Sequence, residues 1–300
     1  MSINDNKYIE HFLEKMLVER NASFNTIASY KTDLVLLQKF LEETEFIQAS
    51  KEDLCSYITG LKERGYSSAT IRRKIATLRQ FYTFLYFEKL IYINPMKDIE
   101  LPKKALILPR YLIKEEIKGL LTFLGQGYPD TLRLHTMLEM LYASGMRVSE
   151  LIRLKIADIG PLLKGQQHII IQGKGRKERI LPFSKRSIEV LIRYLHSHQS
   201  TSEWLFPGTG GKNRHISRQR LGQLLKELAI KCNIAPERIS PHVIRHSFAT
   251  HLLDRGMDIK LVQDLLGHSQ ITTTQIYTHV SQQELHREVI SHHPLSKKNP

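Results

Sequence analysis

Cysteine is scarce in this chain. Cys55 and Cys232 are the only two among 300 residues, and they sit far apart in unrelated contexts. That excludes a disulfide framework and a CxxC metal site. Long apolar runs are missing too, since no stretch approaches the roughly 18 residues a membrane span needs. The opening residues, MSINDNKYIEHF, carry acidic groups early and no apolar core. A secretory leader is therefore not expected, and a cytoplasmic location is. Net charge is absent from residues 1–100, where basic and acidic side chains balance. Internal repeats and low-complexity tracts are also lacking.

What the chain does have is a core and a one-sided charge. Hydrophobic residues make up 41%, enough to pack two domains of ordinary size. The net charge is +14, and all of the excess lies in residues 101–300. A folded, basic chain of this kind suits a polyanionic partner, most often nucleic acid.

Periodicity predicts four helices in the first hundred residues. Ile9, Phe12, Leu13, Met16 and Leu17 form one apolar stripe. Ser23 offers an N-cap ahead of Ile27, Tyr30, Leu34, Leu37 and Leu41. Ser50 and Asp53 read as a capping pair before Leu54, Tyr57, Ile58 and Leu61, with Gly65 as the stop. Ser68 starts the last helix, with Ile71, Ile75, Leu78, Tyr82 and Leu85 inward. Its outer face carries Arg72, Arg73 and Arg79, which are either a solvated face or phosphate contacts. Residues 95–110, PMKDIELPKKALILPR, hold three prolines and read as an extended linker between domains 1–94 and 111–300.

The second domain reads as helical with one interruption. Residues 133–155 look like two helices broken at Ser144-Gly145. His168–Ile171 and Arg179–Phe183 flank a Gly173-Lys174-Gly175 turn and predict a β-hairpin. Helices are expected again near Ser187, Ser217, His242, Lys260 and Thr274. The fold class is mainly α: a four-helix N-terminal domain and an α-rich C-terminal domain with a small antiparallel sheet.

Four segments carry candidate chemistry: LYASGMRVSEL (141–151), GKGRKER (173–179), PHVIRHSFATH (241–251) and LGHS (266–269) followed by TTTQIYTH (272–279). Together they closely resemble the tyrosine recombinase (phage integrase) family. The resemblance extends over nearly the whole chain, and residues 1–94 look like the family's SAM-like core-binding domain. No single segment is specific; the combination is. It implies an enzyme that cuts and rejoins DNA with Arg147, Lys174, His242, Arg245, His268 and Tyr277 in the active site, and with no metal or other cofactor.

Each implied role has a physical basis. Tyr277 can act as nucleophile and form a phosphotyrosyl link, which conserves the energy of the broken bond. Arg147 and Arg245 suit the non-bridging oxygens, because a guanidinium is always charged and grips two oxygens in a plane. His242 lies one helical turn before Arg245, so both can face one phosphate. Lys174, between two glycines at the hairpin tip, is assigned as the acid for the leaving oxygen. Arg176, Lys177 and Arg179 crowd the same hairpin and are read as contacts to the DNA backbone. His268 is expected to hydrogen-bond the phosphate.

Other features remain open. Glu150 orients the active-site lysine or Arg147, or caps its own helix. His242 and His246 have zincin spacing, but Val243 stands where that motif needs glutamate, so zinc is not expected. His246 and His251 read as structural. The amphipathic tail SQQELHREVISHHPL packs on its own domain or, as in the family, on a neighbouring subunit of a cyclic tetramer. Within the family, GHSQITTTQIYTHV with a closing HHPL fits the members that resolve chromosome dimers on a dif-type site, with a paralogous partner and a DNA translocase; the paralogue itself, a mobile-element integrase of minimal size and a non-catalytic DNA-binding protein are the alternatives. Type IB topoisomerases share similar chemistry, but the short helical first domain and the tail argue against that reading.

Overall fold

Serine side chains open most of the longer helices. The computed structural model describes residues 3–20, 22–42, 44–100, 111–126, 131–172, 178–198, 201–208, 214–267, 288–289 and 291–294. The chain divides into two compact units, Met1–Ile107 and Leu108–Pro300.

The first unit contains α1 (Ile3–Val18), α2 (Phe24–Leu41), α3 (Lys51–Glu63) and α4 (Ser68–Phe87). The Ser23 hydroxyl accepts from the backbone N–H of Thr26, and Ser67 does the same for Thr70. Ser50 and Asp53 form a reciprocal capping box. Gly65 follows α3 with φ +76°, a conformation open to glycine without strain. The predicted stripes fill the core, where Phe12, Leu34, Leu37, Phe46, Leu54, Ile75, Phe81 and Tyr82 are fully buried. Phe81 meets Phe12 and Phe46 edge to face at centroid distances of 5.4 and 5.0 Å. Leu17 departs from its expected burial: it lies at the edge of the α1 stripe and is 41% exposed.

A buried charge cluster ties α2 to α4. The Asp33 carboxylate, 1% exposed, accepts from Lys74 Nζ (2.9 Å), Thr77 Oγ1 (2.9 Å) and both terminal nitrogens of Arg73. Lys74 is itself 2% exposed, so Asp33 is its counter-charge inside the domain. Residues 95–98 turn rather than run extended; Met96 and Ile99 are buried in the same core, and Arg79 donates to the Ile99 carbonyl.

The second unit is built around α6 (Leu132–Ser144), whose residues from Leu134 to Ser144 are all buried. A helix buried on every side belongs at the centre of a domain. Around it lie α5 (Lys114–Leu124), α7 (Val148–Leu151), α8 (Gly160–Leu163), α9 (Lys185–Ser197), α10 (Arg218–Lys231), α11 (Pro241–Leu253) and α12 (Ile259–Leu266). The break after Ser144 falls where the sequence places it. Gly145 ends α6 with φ +61°, and a Cβ there would sit 2.4 Å from the Phe248 ring. The hairpin pairs β1 (His168–Gln172) with β2 (Glu178–Pro182) in antiparallel register, Ile170 opposite Ile180. Its turn, residues 173–177, and the helix expected near Thr274 lie outside the described residues. α9 begins two residues before the expected Ser187, with Ser184 as its cap. The fold is thus mainly α with one small antiparallel sheet. None of the helices is long and apolar enough to cross a membrane, among the described residues.

The end of the tail packs on its own unit. Val289 is buried, and His293 is 2% exposed between the rings of Tyr142 and Phe248. His293 Nε2–H donates to the Tyr142 carbonyl at 3.1 Å, and Arg255 donates to the carbonyls of His293 (2.9 Å) and Pro294 (3.3 Å). Burial pushes the His293 imidazole down to about 4, against smaller opposing effects of the Tyr142 bond and Glu139; Arg255 and His251 add to the lowering.

Two outcomes follow from these clusters. Asp33→Ala leaves the Lys74 ammonium buried without its partner, and should cost about 3–5 kcal/mol in urea unfolding of the full chain. A loss under 1 kcal/mol would contradict the role given to Asp33. For the tail, the folded pKa of His293 lies below the unfolded value of about 6.5, so docking is fully supported above that pH and weakens as pH falls towards 4. Hydrogen exchange at residues 291–293 should rise across that window beyond its intrinsic change, and His293→Phe should flatten the effect.

Candidate functional site

The C-terminal end of α12 gathers three arginines from three different elements. α12 starts at Asp258, whose carboxylate accepts from the N–H groups of Lys260 and Leu261. It ends at Gly267, with φ +63°. The last carbonyls of a helix lack partners within it and carry partial negative charge. Here each of three consecutive carbonyls receives one guanidinium. Arg179 Nη1 donates to Leu265 (2.5 Å), Arg245 Nη2 to Leu266, and Arg147 Nη2 to Gly267 (2.9 Å). Gly267 has no Cβ, and one built there would lie 3.2 Å from Arg179 Cδ.

Local structure aims each side chain. Arg147 stands at the N-cap of α7 with extended backbone, directly after the Gly145 break. Arg245 lies on the second turn of α11, whose cap is Ser240 and whose first residue is Pro241. Arg245 also donates through Nη1 to the Gly145 carbonyl at 2.6 Å, so the break in α6 is held by the arginine it helps to position. Arg179 sits on β2 opposite Ile171.

Glu150 links two of the three. Its Oε1 accepts from Arg147 Nη1 at 3.0 Å; its Oε2 accepts from the Arg147 backbone N–H at 2.6 Å and from Arg179 Nη2 at 2.5 Å. Of the roles left open for Glu150, it therefore performs two, capping α7 and holding Arg147.

The charges do not cancel. Among the described residues, three guanidiniums stand against one carboxylate, which bonds two of them, and the helix end supplies only about half a negative charge more. Burial of Arg245, with further lowering by Arg147 and Arg179, brings its pKa down to about 10, so it stays charged at neutral pH. Burial also lowers Arg179, with Glu150 opposing. The side chain of Arg147 is 37% exposed and that of Arg179 only 8%. The site is therefore a pre-formed cation, open to water through Arg147. An anion with oxygens in more than one direction, such as a phosphodiester, would relieve the surplus.

The remaining expected residues divide clearly. His242 is exposed on the first turn of α11, one turn from Arg245. Lys174, His268, Tyr277, Arg176 and Lys177 lie outside the described residues, although His268 directly follows Gly267. Arg179 departs from its expected place against DNA. It points into the protein: its side chain is 8% exposed, and it shares a face of β2 with Leu181, which is fully buried. On the first unit, Arg73 is held by Asp33 and Ser29, and Arg79 by the Ile99 carbonyl, so both are engaged within the domain rather than projecting freely from it. His251 Nδ1 pairs with the Tyr142 hydroxyl at 2.8 Å, and His246 meets the Tyr111 ring edge to face.

Comparison with known proteins bears on this geometry. Residues 110–284 match the model of the phage integrase family, and residues 9–89 match that of the phage integrase N-terminal SAM-like domain. The tyrosine recombinase XerD of Rhizobium meliloti is 43% identical over 306 aligned residues, covering 97% of this chain and 96% of the relative. XerD of Yersinia pestis is 38% identical, covering 98% and 99%. Among solved structures, the Tn1549 transposon integrase in complex with circular intermediate DNA superposes with a TM-score of 0.70 at 21% identity, covering 93% of this chain and 98% of that one. The XerH recombinase bound to a palindromic difH substrate gives 0.69 at 25% identity, covering 92% and 82%. The chain belongs to the phage integrase family of tyrosine recombinases, enzymes that cut and rejoin DNA.

Proposed function

We propose that this protein performs the XerD role: site-specific strand exchange at a dif-type site on double-stranded DNA, in the cytoplasm, resolving chromosome dimers. Its partners are the paralogue XerC, two copies of each forming a cyclic heterotetramer, and the translocase FtsK, which activates exchange. The XerD relatives that align end to end support this specific role. The single observation that carries the chemistry is the arginine cluster on α12, a surplus positive site one residue from His268.

In this reading the Tyr277 phenol gives its proton to His242 as its oxygen attacks the scissile phosphorus. The bond from phosphorus to the 5′ oxygen breaks, and the DNA 3′ end becomes joined to the tyrosine. Lys174 gives a proton to the departing 5′ oxygen. Arg147 and Arg245 hold the non-bridging oxygens as charge grows on five-coordinate phosphorus. His242 and His268 bond the same phosphate. The 5′ hydroxyl of the partner strand then attacks the phosphotyrosine, restores the phosphodiester and returns the phenol. Both domains bind the duplex.

A nicked site that loses its 5′ fragment after cleavage traps the covalent adduct. The wild-type protein should form it in excess EDTA, and Tyr277→Phe should form none. Adduct from Tyr277→Phe would overturn the nucleophile. Arg147→Ala and Arg245→Ala should each lower the cleavage rate by about 10²–10³-fold, the usual cost of removing one preorganised oxyanion donor. Recombination between two dif sites should require added XerC; exchange by this protein alone would overturn the heterotetramer.

A further inference from the structure

We propose that Arg179 is a positioning residue for the phosphate clamp: by sharing the Glu150 carboxylate, it keeps Arg147 fixed yet electrostatically available to the scissile phosphate. The proposal rests on the reading of the site given above and adds a residue to it.

Three observations support it. First, Arg179 cannot itself be the clamp. Its side chain is 8% exposed, and its terminal nitrogens are committed to Leu265 O and Glu150 Oε2. Arg147, at 37%, retains a face for an incoming anion. Second, Glu150 is the only carboxylate in ion-pair contact with either arginine among the described residues. A carboxylate with one guanidinium to itself can align both oxygens on it, and would then compete directly with phosphate. Oε2 is instead taken by Arg179 and by the Arg147 backbone, which leaves Oε1 alone on the Arg147 guanidinium. Third, Arg179 bonds the carbonyl of Leu265, two residues before the carbonyl that holds Arg147. One side chain thus fixes both supports of Arg147, the carboxylate and the helix end.

The geometry also requires arginine. Leu265 O and Glu150 Oε2 are served by two different nitrogens of one planar group. A lysine ammonium restores the charge but not this fork.

The test measures binding and cleavage separately on the nicked site. Arg179→Met should bind DNA within about 3-fold of wild type, because it removes no exposed cation, yet cleave about 10²-fold more slowly. Arg179→Lys should recover only part of that loss. Circular dichroism melting of both variants accompanies the kinetics, and the lysine variant keeps the test readable if the methionine variant unfolds. Two readouts separate positioning from general support. The double variant Arg147→Ala/Arg179→Met should be no slower than Arg147→Ala alone, since Arg179 has nothing left to position. On a site whose scissile phosphate carries a neutral methylphosphonate, the Arg179→Met defect should shrink together with that of Arg147→Ala, because less charge needs to be met. Full-rate cleavage by Arg179→Met, multiplying defects in the double variant, or a defect unchanged on the neutral substrate would each overturn the proposal. Absence of an adduct from wild type would instead overturn the proposed function, and this proposal with it.

Discussion

Positive charge held near the protein interior by backbone carbonyls, rather than by acids, is the constraint on which the site depends. Three arginines meet the last three carbonyls of the α12 region, and among the described residues one carboxylate pairs with any of them. Had each guanidinium its own carboxylate, the cluster would be neutral, and a phosphate would have to displace an acid to enter. A helix end satisfies the hydrogen-bond donors of arginine while cancelling little of its charge. The geometry is fixed and the charge remains unspent.

That arrangement determines much of the surrounding fold. α12 closes on Gly267 with φ +63°, a conformation that favours glycine, and a Cβ there would lie 3.2 Å from Arg179 Cδ. α6 must end at Gly145, because its carbonyl takes Arg245 and the Phe248 ring fills the space of a Cβ. Arg147 then starts a new helix within two residues, directed by Glu150. The two glycines and the acid contact no substrate in the proposed reaction. They are nonetheless as necessary to the clamp as the arginines, since guanidinium recognition of phosphate is planar and tolerates little misalignment.

Those parts of this architecture that rest on local rules were legible in the sequence. Ser23 and the Ser50–Asp53 pair cap helices through their immediate neighbours, and Gly145 breaks a helix through its own φ. The hairpin follows from two β-branched runs around a glycine turn. Long-range contacts were not legible in the same way. Asp33 is forty residues or more from Arg73, Lys74 and Thr77, and nothing beside it announces a buried ion cluster. Arg179 stands next to residues that read as DNA-facing cations, and only the register of β2 turns it inward. Glu150 was legible as a cap but not as the bridge between two arginines, because Arg179 reaches it from twenty-nine residues away.

The tail and the arginine cluster share one scaffold, and this relates the ends of the chain segment that carries Tyr277. Gly267 is fixed by Arg147, while His293 is fixed against Tyr142 and Arg255. Tyr142 lies on the last turn of α6, three residues before Gly145, and its hydroxyl holds His251 on α11, the helix of His242 and Arg245. Both anchors of the intervening chain therefore rest on α6, α11 and the residues that directly follow them. Any shift of one helix against the other must move the arginine clamp and the tail socket together. Close packing makes such a shift costly: Phe248 of α11 fills the space left by Gly145, and its ring also packs against His293. Arginine cluster and tail socket are thus two faces of a single helix pair, and the close packing of that pair holds a surplus of buried charge in place.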